Sequence, residues 1–123
     1  MEESIFKLTD GEYRLAEVVW NNEPVNSTRL VRLCEEALGW KKATTYTVLR
    51  KLCEKKILEN KEATVIALVK REQVQKYESE ALLEKSFHNS LPMFVTAFLK
   101  DKKLSRKEAE ELKAMIEAAS KEL

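Results

Sequence analysis

Wound as a helix, Trp40-Lys41-Lys42-Ala43-Thr44-Thr45-Tyr46-Thr47-Val48-Leu49-Arg50-Lys51-Leu52-Cys53-Glu54-Lys55-Lys56-Ile57-Leu58 separates into two unlike faces. At about 100° per residue, Thr45, Val48, Leu49, Leu52 and Cys53 fall on one side. Ala43, Thr47, Arg50, Lys51 and Glu54 fall on the other, with Thr44 at its edge. The first face is suited to anchoring, and the second, cationic and hydroxyl-bearing, is suited to entering a DNA groove. Six cations between positions 41 and 56 stand against Glu54 alone, whereas the whole chain carries a net charge of only +1. No Ser, Asp or Asn cap precedes Lys41 and Lys42, so the positive end of the helix dipole lacks an anion that a DNA phosphate can supply. Lys55 is expected to join these cations as a phosphate contact. A plain solvated helix face has a similar composition, so this segment alone leaves both readings open.

A chain of 123 residues makes one domain, or a small domain with an oligomerisation extension. With 44% hydrophobic and 35% charged residues it reads as globular, and only two Gly and two Pro point to long helices with few tight turns. No run approaches the ~18 apolar residues of a membrane span, and Met1-Glu2-Glu3 is unlike a signal peptide. A cytoplasmic location without membrane contact is expected. Cys34 and Cys53 lie singly on apolar faces with no metal-ligand spacing, so they read as packing thiols. His88 is the sole histidine, and nothing around it suggests a nucleophile, a phosphate loop or paired carboxylates. Neither an enzyme nor a cofactor is expected.

The first helix is announced by Leu8-Thr9-Asp10-Gly11-Glu12-Tyr13, where Thr9 caps, Glu12 closes a capping box and Leu8 staples onto Tyr13. It should run to about Trp20 with Leu15, Val18 and Val19 inward, and stop before Pro24. A second helix follows Val25-Asn26-Ser27, with Leu30, Val31, Cys34, Ala37 and Leu38 on one side and Gly39 as its stop. The short turn to the basic helix gives helix-turn-helix geometry. Thr64 to Val69 is β-branched and reads as a strand pairing back on residues 57–60 across the tip Asn60-Lys61-Glu62-Ala63. Three helices and a hairpin make a winged helix, here with a weak wing contact because Lys61 sits beside Glu62.

The C-terminal third reads as a helix from about Arg71 to Phe87, a break at Leu91-Pro92, and a short helix over Met93–Leu99, which Ser90 can cap. Leu104-Ser105-Arg106-Lys107-Glu108 is another capping box with a staple, launching a last helix with Ala109, Leu112, Met115, Ile116 and Ala119 on one face. Met93, Phe94, Phe98, Leu99, Leu112, Met115 and Ile116 cannot all bury one another within one chain, so they form the expected interface of a homodimer. The expected fold is mostly α with a small β-wing. Residues 1–70 make a winged helix-turn-helix DNA-binding domain, and residues 71–123 a helical dimerisation region.

In order and spacing, these residues resemble the penicillinase repressor family of winged-helix transcriptional regulators, from about Leu8 to Ala119. The most specific pieces are Leu8-Thr9-Asp10-Gly11-Glu12 with Trp20, Trp40 followed by Thr44, Thr47, Leu49 and Leu52, and the step from Phe98-Leu99 to Leu104-Ser105. The resemblance implies a homodimer that binds a palindromic operator in double-stranded DNA and blocks transcription, its C-terminal helices forming the interface. In the β-lactam branch it also implies relief by a regulatory protease that cleaves within the dimerisation region.

Carried over by position, Thr44 and Thr47 match the recognition-helix hydroxyls, and Lys42, Arg50 and Lys51 stand beside them. Trp40 would pack at the helix base. Together with Lys41 and Lys61 these are the expected DNA contacts. This chain departs from the family at three places. Ala97-Phe98 stands where the β-lactam branch has Asn-Phe, the multi-cysteine tail of the copper branch is absent, and Lys56 and Glu62-Ala63 replace a common wing glycine and basic residue. Two other readings remain open. One is a winged helix used to dock an acidic protein, and the other a repressor whose small-molecule ligand enters among Phe94, Phe98, Leu112 and Met115.

Overall fold

A computed structural model describes residues 6–120. The chain forms α1 (Asp10–Asn22), β1 (Val25–Asn26), α2 (Ser27–Leu38), α3 (Lys42–Glu54), β2 (Leu58–Lys61), β3 (Thr64–Ala67), α4 (Arg71–Ser86), α5 (Leu91–Leu99) and α6 (Arg106–Ala119). Three helices and a small antiparallel sheet of order β1-β3-β2 make a winged helix-turn-helix. The chain falls into two compact units, one ending at Leu82 and the other beginning at Leu83.

In the first unit, α1 starts where two orphan backbone donors are satisfied reciprocally. The Glu12 N–H donates to Thr9 Oγ1 at 3.1 Å and the Thr9 N–H to Glu12 Oε1 at 2.9 Å. Leu15, Ala16 and Val19 bury completely from this helix, while Val18 is only half-buried. The α2 helix begins at Asn26, whose side chain caps Thr28, and ends at Gly39 in the left-handed region at φ 71°. There the Gly39 N–H reaches Glu35 O at 3.0 Å and the Trp40 N–H reaches Cys34 O at 3.4 Å, a paired closure that favours glycine at this position. Leu30 and Cys34 face the core as expected, but Ala37 is exposed, because the chain turns away at Gly39 before that position meets a neighbour.

The wing is tighter than its sequence suggested. Asn60 and Lys61 belong to β2, opposite Val65 and Thr64, so the connection shrinks to Glu62-Ala63. Both turn residues have positive φ, 52° and 65°, as a two-residue hairpin turn with the strands' own twist requires. Ala63 O also accepts from the Ser27 N–H at 2.8 Å, which ties the wing turn to the start of α2. The strand expected to reach Val69 stops at Ala67, since the Leu68 and Val69 N–H groups both donate to Ile57 O. A third strand, the dipeptide Val25-Asn26, pairs with β3 and was not anticipated.

The core joins Leu15, Val19, Leu30, Leu49, Leu52, Ile57, Leu58, Val65 and Val74, drawing on all three helices, the wing and the first turn of α4. Trp20 reinforces it from the edge. Its indole N–H donates to Val69 O at 3.0 Å, the Tyr13 ring meets it edge-on at 5.4 Å, and the Arg71 guanidinium lies 5.5 Å over its ring.

In the second unit, Ser90 caps α5 through the Met93 N–H and Ser105 caps α6 through the Glu108 N–H. The break between α4 and α5 lies at Phe87–Ser90, and Leu91-Pro92 opens α5, where proline's missing donor goes unneeded. The capping box expected at α6 is only half made: among the described residues, Glu108 returns no bond to the Ser105 N–H. Phe94 packs edge-on to Phe87 at 5.3 Å and stacks with Phe98 at 5.9 Å. No residue of α5 or α6 is buried.

Thr45 is fully buried with the Cys34 thiol, at best a weak partner, beside it, and its hydroxyl makes no hydrogen bond of ordinary geometry. A buried orphan hydroxyl costs about 1–3 kcal/mol, and valine has the same shape without it. Thr45→Val should therefore raise stability by about 1 kcal/mol. The check is a higher urea midpoint at unchanged m; a lower midpoint would show that Thr45 is bonded after all.

Candidate nucleic-acid interface

The α3 helix is held by Thr45, Leu49 and Leu52, all buried, with Val48 and Cys53 half-buried beside them. This is the anchoring face expected from periodicity. Its opposite face is open: Lys42, Ala43, Thr44, Arg50 and Lys51 are exposed, and Thr47 is half-buried at the margin. Lys41 occupies the N-cap position, extended at φ −79° and ψ 159°, with no side-chain cap and no acid in the first turn. The first N–H groups of α3 are thus turned outward beside two lysines, which suits a phosphate oxygen. Among the described residues, none of Lys41, Lys42, Arg50, Lys51 and Lys61 makes an ion pair.

Trp40 sits half-buried at the base of α3, its ring 3.7 Å from where a Cβ on Gly11 would lie. It wedges the helix-turn-helix against α1. Lys61 lies at the end of β2, exposed and paired in the ladder with Thr64 rather than projecting from a loop.

Lys55 departs from its expected role. Its Nζ donates to Glu12 Oε1 at 2.7 Å and to Lys7 O at 3.0 Å, joining the end of α3 to the start of α1. It is a tether, and its charge is spent on a buried carboxylate. Counting cations in the segment could not reveal this, because Glu12 lies 43 positions away and its local pattern already accounts for it as a capping residue. Burial alone would push the Glu12 carboxyl up. The hydrogen bonds from Lys55 and the Thr9 N–H, with the charges of Lys55 and Lys51, outweigh burial and hold it below the ordinary carboxylate range.

The cysteines are packing residues: Cys34 is buried and Cys53 half-buried, and burial pushes both thiols up. His88 is exposed at the end of α4 with φ 52°. No group of metal-binding side chains forms among the described residues, and no described helix is long and apolar enough to cross a membrane.

A helix-turn-helix whose second helix shows an uncapped, cationic face beside a hairpin defines a winged-helix protein of the DNA-binding class. The chain belongs to the penicillinase repressor family, a family of transcriptional repressors, whose profile matches residues 8–118. It is similar to the penicillinase repressor of Bacillus licheniformis, with 24% identity over 115 residues that cover 90% of each chain.

Glu12 contributes stability that is complete above its ordinary value of 4.5 and fades as pH falls through its lower folded value. Lys55→Met leaves the carboxylate buried without its main donor, so burial then lifts its pKa. The variant should lose about 2 kcal/mol at neutral pH, with the deficit narrowing as pH falls through the variant's raised pKa toward the lowered one of the wild type. Urea titrations across that range check it, and a deficit independent of pH would remove Glu12 from the account.

Proposed function

We propose that this repressor binds a two-fold operator in double-stranded DNA as a homodimer and works in the cytoplasm. In this division of labour residues 1–70 read DNA and residues 71–123 pair the subunits. The observation that carries it is the open face of α3. A helix that packs one side on the core, leaves its first N–H groups uncapped and, among the described residues, keeps four cations from Lys41 to Lys51 out of ion pairs is suited to a polyanion.

Phosphate contacts from Lys41, Lys42 and Lys51 set register, while Thr44, Thr47 and Arg50 touch base edges. Lys61 adds a contact from the wing. Two such helices related by dimer symmetry meet one face of the duplex when half-sites are spaced by one or two turns of about 10.5 base pairs. The second subunit then binds at a raised effective concentration, so pairing turns two weak modules into an occupied site.

The pairing surface is proposed to comprise Met93, Phe94, Phe98, Leu99, Leu112, Met115 and Ile116. Met115 and Ile116 are 64% and 60% exposed in the single chain, which supports a covering partner. Relief by a regulatory protease is proposed only as cleavage within residues 71–123 ahead of α6, since Ala97-Phe98 departs from the Asn-Phe pair of the β-lactam branch. Cleavage there would separate α6 from the DNA-reading unit.

Fluorescence anisotropy against promoter DNA tests the α3 assignment. Arg50→Ala and Thr47→Ala should each weaken the specific site by about 1–3 kcal/mol, while Lys42→Ala should weaken all sequences alike and reduce the salt slope by about 1. Undiminished binding by all three variants would reject it. For pairing, Ile116→Glu places a charge in the apolar surface, and sedimentation should then find a monomer with greatly reduced operator occupancy. A dimer of unchanged strength would move the interface elsewhere.

A further inference from the structure

Two helices of the first unit end on a residue in the left-handed region. At the end of α2 it is Gly39, φ 71°, and a Cβ built there would meet nothing within 4 Å, so backbone conformation rather than crowding suits glycine. At the end of α3 it is Lys56, φ 66°. The closure around it is the one that ordinarily takes glycine: the Ile57 N–H reaches Leu52 O and the Lys56 N–H reaches Cys53 O, both at 3.0 Å. A side chain is unfavourable there, and lysine, unlike asparagine, has no short polar group to bond locally in compensation. Lys56 is exposed and makes no ion pair among the described residues, so its charge does not serve the fold. It does line a recess of about 460 Å³ between α3 and the wing, with Tyr46, Arg50, Glu59 and Asn60, over a floor of buried leucine. Two cations against one carboxylate leave the recess net positive, and Tyr46 and Asn60 bring neutral hydrogen-bond donors.

We propose that this recess takes a backbone phosphate of the DNA strand bordering the groove that α3 enters, with Lys56 as its contact. The inference rests on the DNA-reading role proposed above. A helix fills a major groove about 12 Å wide, so the phosphates at the groove's edge pass along the helix flank rather than its outer face. Arg50 belongs both to the open face of α3 and to the recess, which places the recess on that flank. A lysine ammonium is a compact point charge that binds phosphate without a fixed geometry, as a side chain rooted in a tight closure requires. The left-handed lysine thus lowers fold stability and raises affinity, and replacing it should move the two in opposite directions.

Lys56→Gly, made in the full-length protein, removes the charge and the Cβ together. Its urea midpoint should rise at unchanged m. Anisotropy against a promoter duplex should show binding weakened about fivefold and a salt slope smaller by about 1. Lys56→Gln keeps the Cβ and loses only the charge, so the slope should fall with the midpoint unmoved, whereas Lys56→Arg should keep both. A lower midpoint in Lys56→Gly makes the lysine a structural residue, and an unchanged slope in Lys56→Gly and Lys56→Gln removes it from the DNA; either result overturns the assignment. So does release of the duplex by inorganic phosphate, at ionic strength matched with chloride, from the wild type but not from Lys56→Gly, since a free anion is then the occupant. A slope lowered by Lys42→Ala but not by Lys56→Gly overturns the recess alone, while a wild type without affinity for promoter DNA sinks the proposed function with it.

Discussion

The Glu12 carboxylate is buried, and it stays ionised because a backbone N–H and an ammonium converge on one of its oxygens. Through Thr9 it fixes where α1 begins, and through Lys55 it fixes where α3 ends. Burying a charge is unfavourable unless its hydrogen bonds and counter-charge are supplied, so Glu12 accepts few alternative arrangements. The consequence is positional rather than simply stabilising. With its C-terminal end tethered to α1 and its middle held by Leu49 and Leu52, α3 has one rotation about its axis that satisfies both constraints. That rotation turns Thr44, Arg50 and Lys51 outward.

At its other end, α3 lacks the cap that α1, α2, α5 and α6 all possess. Thr9, Asn26, Ser90 and Ser105 each satisfy an orphan donor at a helix start, while Lys41 satisfies none. A helix start without a cap loses about 1 kcal/mol of local stability, and two adjacent lysines sharpen the unfavourable field. Sites that break a local rule in an otherwise consistent fold are where function is expected to lie. Here the uncapped start beside two lysines suits an anion, the role proposed above for a DNA phosphate.

What could be read from sequence follows from how far apart the determining residues lie. Thr9 and Glu12, Gly39 and the periodic face of α3 act over a few positions, so spacing alone was enough. The Glu12–Lys55 bond joins residues on two helices, and each residue had a sufficient local explanation, as a capping partner and as one cation among six. The wing turn was hidden for another reason. Glu62 and Ala63 take positive φ without the Asn-Gly or Asp-Gly pair that usually announces such a turn, and the hydrogen bond from Ser27 to Ala63 helps hold it there. A two-residue strand such as Val25-Asn26 has too few side chains to show alternation, so only its pairing with β3 reveals it. At Ser105 the box pattern was present but its reciprocal bond did not form, which shows that the motif licenses the cap more firmly than the return contact.

The C-terminal helices raise a different physical question, because propensity cannot hold them. Isolated helices shorter than about 12–15 residues are marginal in water, and most helical stability comes from packing an apolar face. The α5 helix has nine residues and α6 fourteen, and neither buries a residue within the chain. Phe94 finds Phe87 and Phe98, and the Lys102 ammonium lies 4.2 Å over the Phe98 ring, but Leu91, Met93 and Phe98 remain about half exposed. A surface of this kind is unfavourable for a free monomer and becomes favourable when a second copy covers it, since the same leucines, methionines and phenylalanines are presented by both. Under the proposed pairing, order in α5 and α6 and association of subunits would be one equilibrium rather than two. A change that weakens pairing would then also loosen these helices, and a change that loosens them would weaken pairing.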